Sequence, residues 1–192
     1  SPAFKKQHEF HIIAGHLGDK GGIRQALSGQ MQRPFFPVPI EIMDAQLTFS
    51  DVRAGETFTL PGAITVRTTP LNHPNGATGY RIDFAGRSLC YITDCEHEPG
   101  HPDPLILHLV EGADYMIYDC TYTDSEIASK AGWGHSSWHQ GLQLADAAHI
   151  KSFCLFHHAP EHDDACMDMI AAEAEATRKG TIVAVEGSII EL

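Results

Sequence analysis

The 192-residue chain has no apolar stretch approaching the roughly 20 residues that a membrane-spanning helix needs. Its first residues, Ser1-Pro2-Ala3-Phe4-Lys5-Lys6, lead into no apolar h-region, so no signal peptide is read there, and no initiator Met is present. Positive charge is scarce: 13 Lys and Arg stand against 25 Asp and Glu, a formal net charge of −12. That balance disfavours a broad nucleic-acid or anionic-membrane surface, because both partners need a positive field, but it leaves room for a small phosphate pocket. The cysteines, Cys90, Cys95, Cys120, Cys154 and Cys166, show no C-x-x-C spacing. An odd count without a small disulfide framework reads as reduced thiols, hence a cytoplasmic location, with Cys90, Cys120 and Cys154 in the core. There is no internal repeat, no low-complexity tract and no Gly/Ser linker, so 1–192 reads as a single domain.

What the chain does have in excess is histidine. Its 13 equal Lys and Arg combined, and no His tract accounts for them. Imidazole is the commonest metal ligand and titrates near neutrality, so the count points toward a metal site.

Apolar and β-branched runs predict strands near 9–14, 45–50, 63–70, 78–84, 87–93, 114–119, 152–157, 181–185 and 188–192, with a hairpin turn at Ala85-Gly86 and a turn at Gly187. Helices are expected over 19–28, 104–112, 137–149 and 162–179; the last has acidic residues at its start and Arg178-Lys179-Gly180 at its end. The proline-rich segment 29–41 is read as a loop lying on the core through Phe35 and Phe36. Hairpins early and alternating helices and strands later imply a layered α/β fold.

The informative residues fall at strand exits. His73 follows the strand 63–70, Asp94 the run 89–93, and Asp119 ends 115–118; His157-His158 follow 153–156, and His135 lies in Gly132-Trp133-Gly134-His135-Ser136-Ser137. Loops at such edges gather ligands from distant sequence, and two His with an Asp suit a borderline divalent ion such as zinc. Singly, each has an ordinary explanation. His-Pro sits in turns, Asp follows strands as a turn former, and Gly-His-Ser-Ser can be a helix cap with Ser136 or Ser137 at the N-cap. Their joint occurrence, in this order, is what carries weight.

Leu71-Asn72-His73-Pro74, followed by Gly79-Tyr80-Arg81-Ile82, resembles a metal-ligand motif of the metallo-β-lactamase superfamily, in its ribonuclease Z and cyclic-phosphodiesterase-like branch. Tyr91-Ile92-Thr93-Asp94 resembles the bridging-aspartate strand of that branch, and Tyr118-Asp119-Cys120-Thr121-Tyr122 the acidic strand after it. Gly134-His135-Ser136-Ser137 and Leu155-Phe156-His157-His158-Ala159-Pro160 are similar to its Gly-His-Ser/Thr motif and its final histidine.

The resemblance implies an αββα four-layer sandwich and a site for two divalent ions, zinc or manganese. By it His73 and His158 bind metal, Asp94 bridges, and His135 contacts the substrate phosphate or assists the leaving group. His158 is preferred to His157 because it stands just before Ala-Pro. The implied reaction is hydrolysis of small phosphodiesters of the cyclic-phosphate type by a metal-bridging hydroxide. The ribonuclease Z arm that grips tRNA would lie between Tyr80 and Asp94, where only a hairpin is found. Together with the negative charge, this leads to the expectation of a small-molecule substrate and neither nucleic acid nor membrane as partner. Arg33 and Arg81 are candidate anion contacts, although an arginine on a strand, such as Arg81, is more often a solvent-facing pair partner.

The family signature His-x-His-x-Asp-His occurs nowhere in the 192 residues. The segment Glu9-Phe10-His11-Ile12-Ile13-Ala14-Gly15 resembles the strand that follows it. The chain is therefore expected to lack the N-terminal third of the fold, to bind metal weakly or partially, and to be inactive or impaired alone. Two alternatives stay open: a thioester, lactone or amide hydrolase on the same fold, and a non-catalytic module that has lost its metal. Trp133, Trp138 and Phe35-Phe36 line the pocket, cover the core, or make an oligomer contact such as a homodimer's.

Overall fold

The computed structural model describes residues 2–98 and 100–192 and divides into two compact units, Ser1–Ala54 and Gly55–Leu192. In the first unit, strands β1 (Glu9–Ala14) and β2 (Gln46–Asp51) pair in parallel, with helix α1 (Gly22–Gln30) in the connection between them. Parallel neighbours need such a crossover. Asp51 at the end of β2 accepts the Ile23 amide at 2.9 Å, placing its carboxylate at the positive end of α1. The expected contact of Phe35 and Phe36 with a core is not made: the two rings are 80% and 45% exposed. Pro34, Pro37 and Pro39 remove backbone donors that would tie this segment to a neighbouring strand.

The second unit is a seven-stranded sheet whose spatial order follows the sequence: β3 (Thr57–Leu60), β4 (Ile64–Leu71), β5 (Ala77–Phe84), β6 (Arg87–Ile92), β7 (Tyr115–Asp119), β8 (Ser152–Phe156) and β9 (Thr181–Val183). β3 to β6 are antiparallel, joined by short turns such as Ala85-Gly86; β6 to β9 are parallel. The parallel half is joined through α2 (Pro104–Val110), α3 (Asp124–Ile127) with α4 (Trp138–Ala147), and α5 (Asp164–Thr177). The mixed α/β class expected from the sequence is what the chain adopts.

Local chemistry explains the helix limits. Asp103 caps α2 through the Leu105 amide at 2.7 Å, Asp163 caps α5 through Cys166, and Ser137 with Gln140 forms a reciprocal capping box on α4. Gly141 lets α4 lie close on the sheet, since a Cβ there would come within 2.7 Å of Phe153 and Tyr118. The core gathers Cys90, Ile92, Met116, Tyr118, Phe153 and Leu155 from the strands and Ile106, Val110, Leu144 and Ile170 from the helices.

Two short elements, β3 and α3, lie outside the sequence expectation, and residues 188–192 form no strand. Gly187 does turn the chain, but Ile189 is left almost wholly exposed and pairs with no described strand. β9 is a three-residue edge, too short to template another strand. No helix among the described residues is long and apolar enough to cross a membrane.

Candidate functional site

β4, β6, β7 and β8 all run the same way, so their C-terminal ends share one edge of the sheet. Asp119 closes β7, His73, Asp94 and His157 stand just past the ends of β4, β6 and β8, and the loop before α4 adds His135. Two overlapping groups have donor atoms within 4.8 Å of one another: His73, Asp94 and His135; and Asp119, His135 and His157.

Asp94 is the shared neighbour of two histidines. Its Oδ1 lies 3.8 Å from His73 Nε2 and 3.8 Å from His157 Nε2. These separations exceed a hydrogen bond. His135 contacts both other imidazoles, tilted against His157 at 5.1 Å between ring centres and edge-on to His73 at 5.8 Å. Asp94 and His157 both adopt left-handed backbone, φ 60° and 62°. Side-chain-bearing residues avoid that region unless the surroundings hold them there, and such strain gathers at functional sites.

Asp119 is the anchor beneath. Fully buried, it accepts at Oδ2 from the Asp94 amide (2.9 Å), the Cys95 amide (3.3 Å) and His135 Nδ1 (2.9 Å). Its Oδ1 accepts from the Thr121 amide (3.2 Å) and hydroxyl (2.8 Å). The same Thr121 hydroxyl is 2.7 Å from the His157 carbonyl, linking the β8 exit to the anchor. A buried carboxylate is tolerable only when paired and hydrogen-bonded in this way. The hydrogen bond to Asp119 holds the His135 ring above the ordinary imidazole pKa, outweighing the opposing effect of burial.

Beside the anchor runs a second buried network. The Ser136 hydroxyl donates to the Cys95 carbonyl at 2.6 Å and accepts from the Tyr118 hydroxyl at 3.2 Å, while Tyr118 also meets His97 Nδ1. Burial pushes the His97 ring below the usual range against the pull of Asp103 and Asp119. This network fixes the two strand exits on either side of the histidine loop.

Of the residues expected from sequence, the structure brings His73, Asp94 and His135 together. It brings His157 rather than His158 to them. Both ring nitrogens of His158 are buried, with backbone groups of Cys120 and Leu155 near them but no well-formed hydrogen bond, and burial lowers its pKa. Arg81 is at the other end of the sheet, donating to Asp83, to the Leu109 carbonyl and to the Glu111 carbonyl, and so is a pair partner. Trp138 belongs to the core. Glu96 escaped the sequence reading: its carboxylate accepts the Gly132 and Gly134 amides, 2.8 Å each, and clamps the histidine loop. Nothing in its sequence neighbourhood distinguishes it from a solvated acid.

The family described as "Beta-lactamase superfamily domain" matches residues 8–158. Among curated relatives, the ribonuclease Z of Brevibacillus brevis is 32% identical over 96 residues, covering 47% of this chain and 28% of that protein. The ribonuclease Z of Parabacteroides distasonis is 23% identical over 153 residues, covering 80% and 43%. The chain thus spans less than half the length of these relatives. Among solved structures, the metallo-beta-lactamase fold protein YhfI from Bacillus subtilis aligns over 95% of this chain and 65% of its own at 17% identity and TM-score 0.67. Zinc-bound PqqB from Methylobacterium extorquens aligns over 98% and 64% at 22% identity and TM-score 0.64.

These relatives correct one expectation. Net charge and the missing arm argued against nucleic acid as partner, yet the curated relatives are ribonucleases by name. Net charge is a property of the whole chain, whereas the field at a site is set within a Debye length of about 8–10 Å. The net −12 of the whole chain therefore does not decide which ligand the site receives.

Proposed function

The chain belongs to the beta-lactamase superfamily, in the branch that contains ribonuclease Z, and from that premise we propose that it is a metal-dependent hydrolase of phosphodiesters. The observation that carries this reading is the pair of imidazole nitrogens, His73 Nε2 and His157 Nε2, each 3.8 Å from the same Asp94 oxygen. That spacing is too long for hydrogen bonds and suits metal ligands that meet at Asp94, with His73 in one group of donors and His157 in the other. Imidazole nitrogen with carboxylate oxygen is a donor set for zinc or manganese.

His73, Asp94 and His157 would be ligands for divalent metal, with His157 in the place expected of His158. Asp119 is a poorer ligand, because both its oxygens already accept hydrogen bonds. A divalent ion bound there supplies positive charge against a phosphoryl oxygen and makes water more acidic. With Nδ1–H committed to Asp119, His135 also carries a proton at Nε2 only when the ring is charged, and the raised pKa favours that form. His135 is thereby suited to protonate a leaving oxygen. The ribonuclease names of the relatives support RNA phosphodiesters, alongside small cyclic ones, as candidate substrates.

The test is hydrolysis of bis(p-nitrophenyl) phosphate with Mn²⁺ or Zn²⁺, alongside a thioester and a lactone. The expected result, given the absent His-x-His-x-Asp-His signature, is weak metal-dependent release of nitrophenol that is lost in His135→Ala. Turnover confined to the thioester or lactone overturns the phosphodiester reading. No turnover and no metal uptake would favour a non-catalytic module.

A further inference from the structure

The chain has two tryptophans: Trp138 is 2% exposed and part of the core, while Trp133 is 57% exposed. Trp133 is nonetheless held firmly. The Glu96 carboxylate grips the amides on both sides of it, at Gly132 and Gly134, and its own amide donates to the Lys130 carbonyl at 3.1 Å. The Lys130 ammonium lies 4.3 Å from the indole centre and 5.6 Å from the Tyr122 ring. Tyr122 in turn meets His135 edge-on at 6.1 Å. On the other side, Gly134 is pressed so closely on His73 that a Cβ would lie 2.2 Å from its ring. The indole is therefore one residue from a contact with His73 and two from His135.

We infer that Trp133 is a stacking platform for a nucleobase of the substrate, positioned so that the phosphodiester beside that base reaches the histidine–aspartate cluster. The inference rests on the phosphodiester reading above and narrows it to nucleotide substrates. Every base offers a flat π-face, and stacking on an exposed aromatic gives affinity with little sequence preference. The fixed loop spares the ordering cost that a loose indole would incur on binding. The Lys130 ammonium lies over one face of the indole, so the base would stack on the opposite face with a positive charge close by.

The test is a titration of the Zn²⁺-supplemented protein with adenosine 5′-monophosphate, ribose 5-phosphate and a six-nucleotide single-stranded RNA. Affinity is read by calorimetry and by quenching of Trp133 fluorescence. The nucleotide should bind at least about fivefold more tightly than ribose 5-phosphate and quench the indole. That advantage should vanish in Trp133→Ala and persist in Trp133→Phe. The near-ultraviolet signal of buried Trp138 reports that each variant is folded. A Trp133-dependent advantage seen only with the RNA assigns the base to a strand rather than a free nucleotide. Equal binding of nucleotide and sugar phosphate, with RNA binding unchanged in Trp133→Ala, overturns the inference while leaving the phosphodiester reading standing. Failure of all three ligands to bind overturns both. Loss of self-association in Trp133→Ala, without any change in ligand binding, assigns the indole to an oligomer contact instead.

Discussion

Asp119 does at the residue scale what no other side chain of the site could. It is fully buried, yet its two oxygens gather donors from the β6 exit, from Thr121 and from His135. Removing such a carboxylate leaves several donors aimed at nothing. In Asp119→Asn the new amide N–H₂ would confront donors on one side. Either Asp119→Asn or Asp119→Ala should cost about 3–5 kcal/mol in urea unfolding. A loss below about 1 kcal/mol would show that the anchor contributes little. Thr121→Val is milder, removing one hydroxyl between Asp119 and the His157 carbonyl, and should cost about 1 kcal/mol.

At the scale of elements, the site depends on the short joints between strands and helices. Ser137→Ala removes the α4 cap and a hydroxyl that also donates to Asp124 at 2.8 Å, and should cost about 1 kcal/mol in thermal unfolding. Gly134→Ala acts differently. Its φ of 85° and its closeness to His73 mean that a methyl group must push the ring aside, so metal affinity should fall by more than global stability does. Calorimetry with Zn²⁺ beside a melting curve separates the two effects.

The strands flanking the site were legible because apolar and β-branched runs end in isolated His or Asp, as at Leu71-Asn72-His73 and Ile92-Thr93-Asp94. The choice between His157 and His158 was not. Phe153, Cys154 and Leu155 are all buried, so β8 has no alternation from which to tell which face the next residue takes. The left-handed turn at His157 then redirects the chain, and no residue type announces it. β3 and α3, each of four residues, are too short for a periodic pattern. The Ser137 cap was one of two serines the sequence offered. Only the backbone shows that Ser137 makes the capping box while Ser136 turns inward to Cys95.

For the molecule as a whole, net charge is a poor guide to local chemistry. The far end of the sheet collects Arg81, Arg87 and Lys151 around Asp83 and Asp114, with Lys151 2.7 Å and Arg87 3.7 Å from Asp114. Hydrogen bonds from Lys151 and Ser88 hold the Asp114 carboxyl at about 2. A carboxyl depressed by folding stabilises the protein above its unfolded pKa of about 3.9, and that contribution is lost as pH falls through about 2. The stability of Asp114→Asn should therefore converge on that of the parent between pH 4 and 2, as read by urea midpoints. Four of the five cysteines, Cys90, Cys95, Cys120 and Cys154, are buried, and burial raises each thiol pKa. Only partly exposed Cys166 should react quickly with a thiol reagent in the native protein, against all five once it is unfolded.

The central proposal is that His73, Asp94 and His157 are ligands for divalent metal at the shared edge of the sheet. Calorimetric titration with Zn²⁺ of the parent chain, His157→Ala and His158→Ala tests it most directly. The account predicts saturable binding by the parent, its loss in His157→Ala and its retention in His158→Ala. Binding that survives His157→Ala but disappears in His158→Ala, or a parent chain that binds no Zn²⁺ at all, would contradict it.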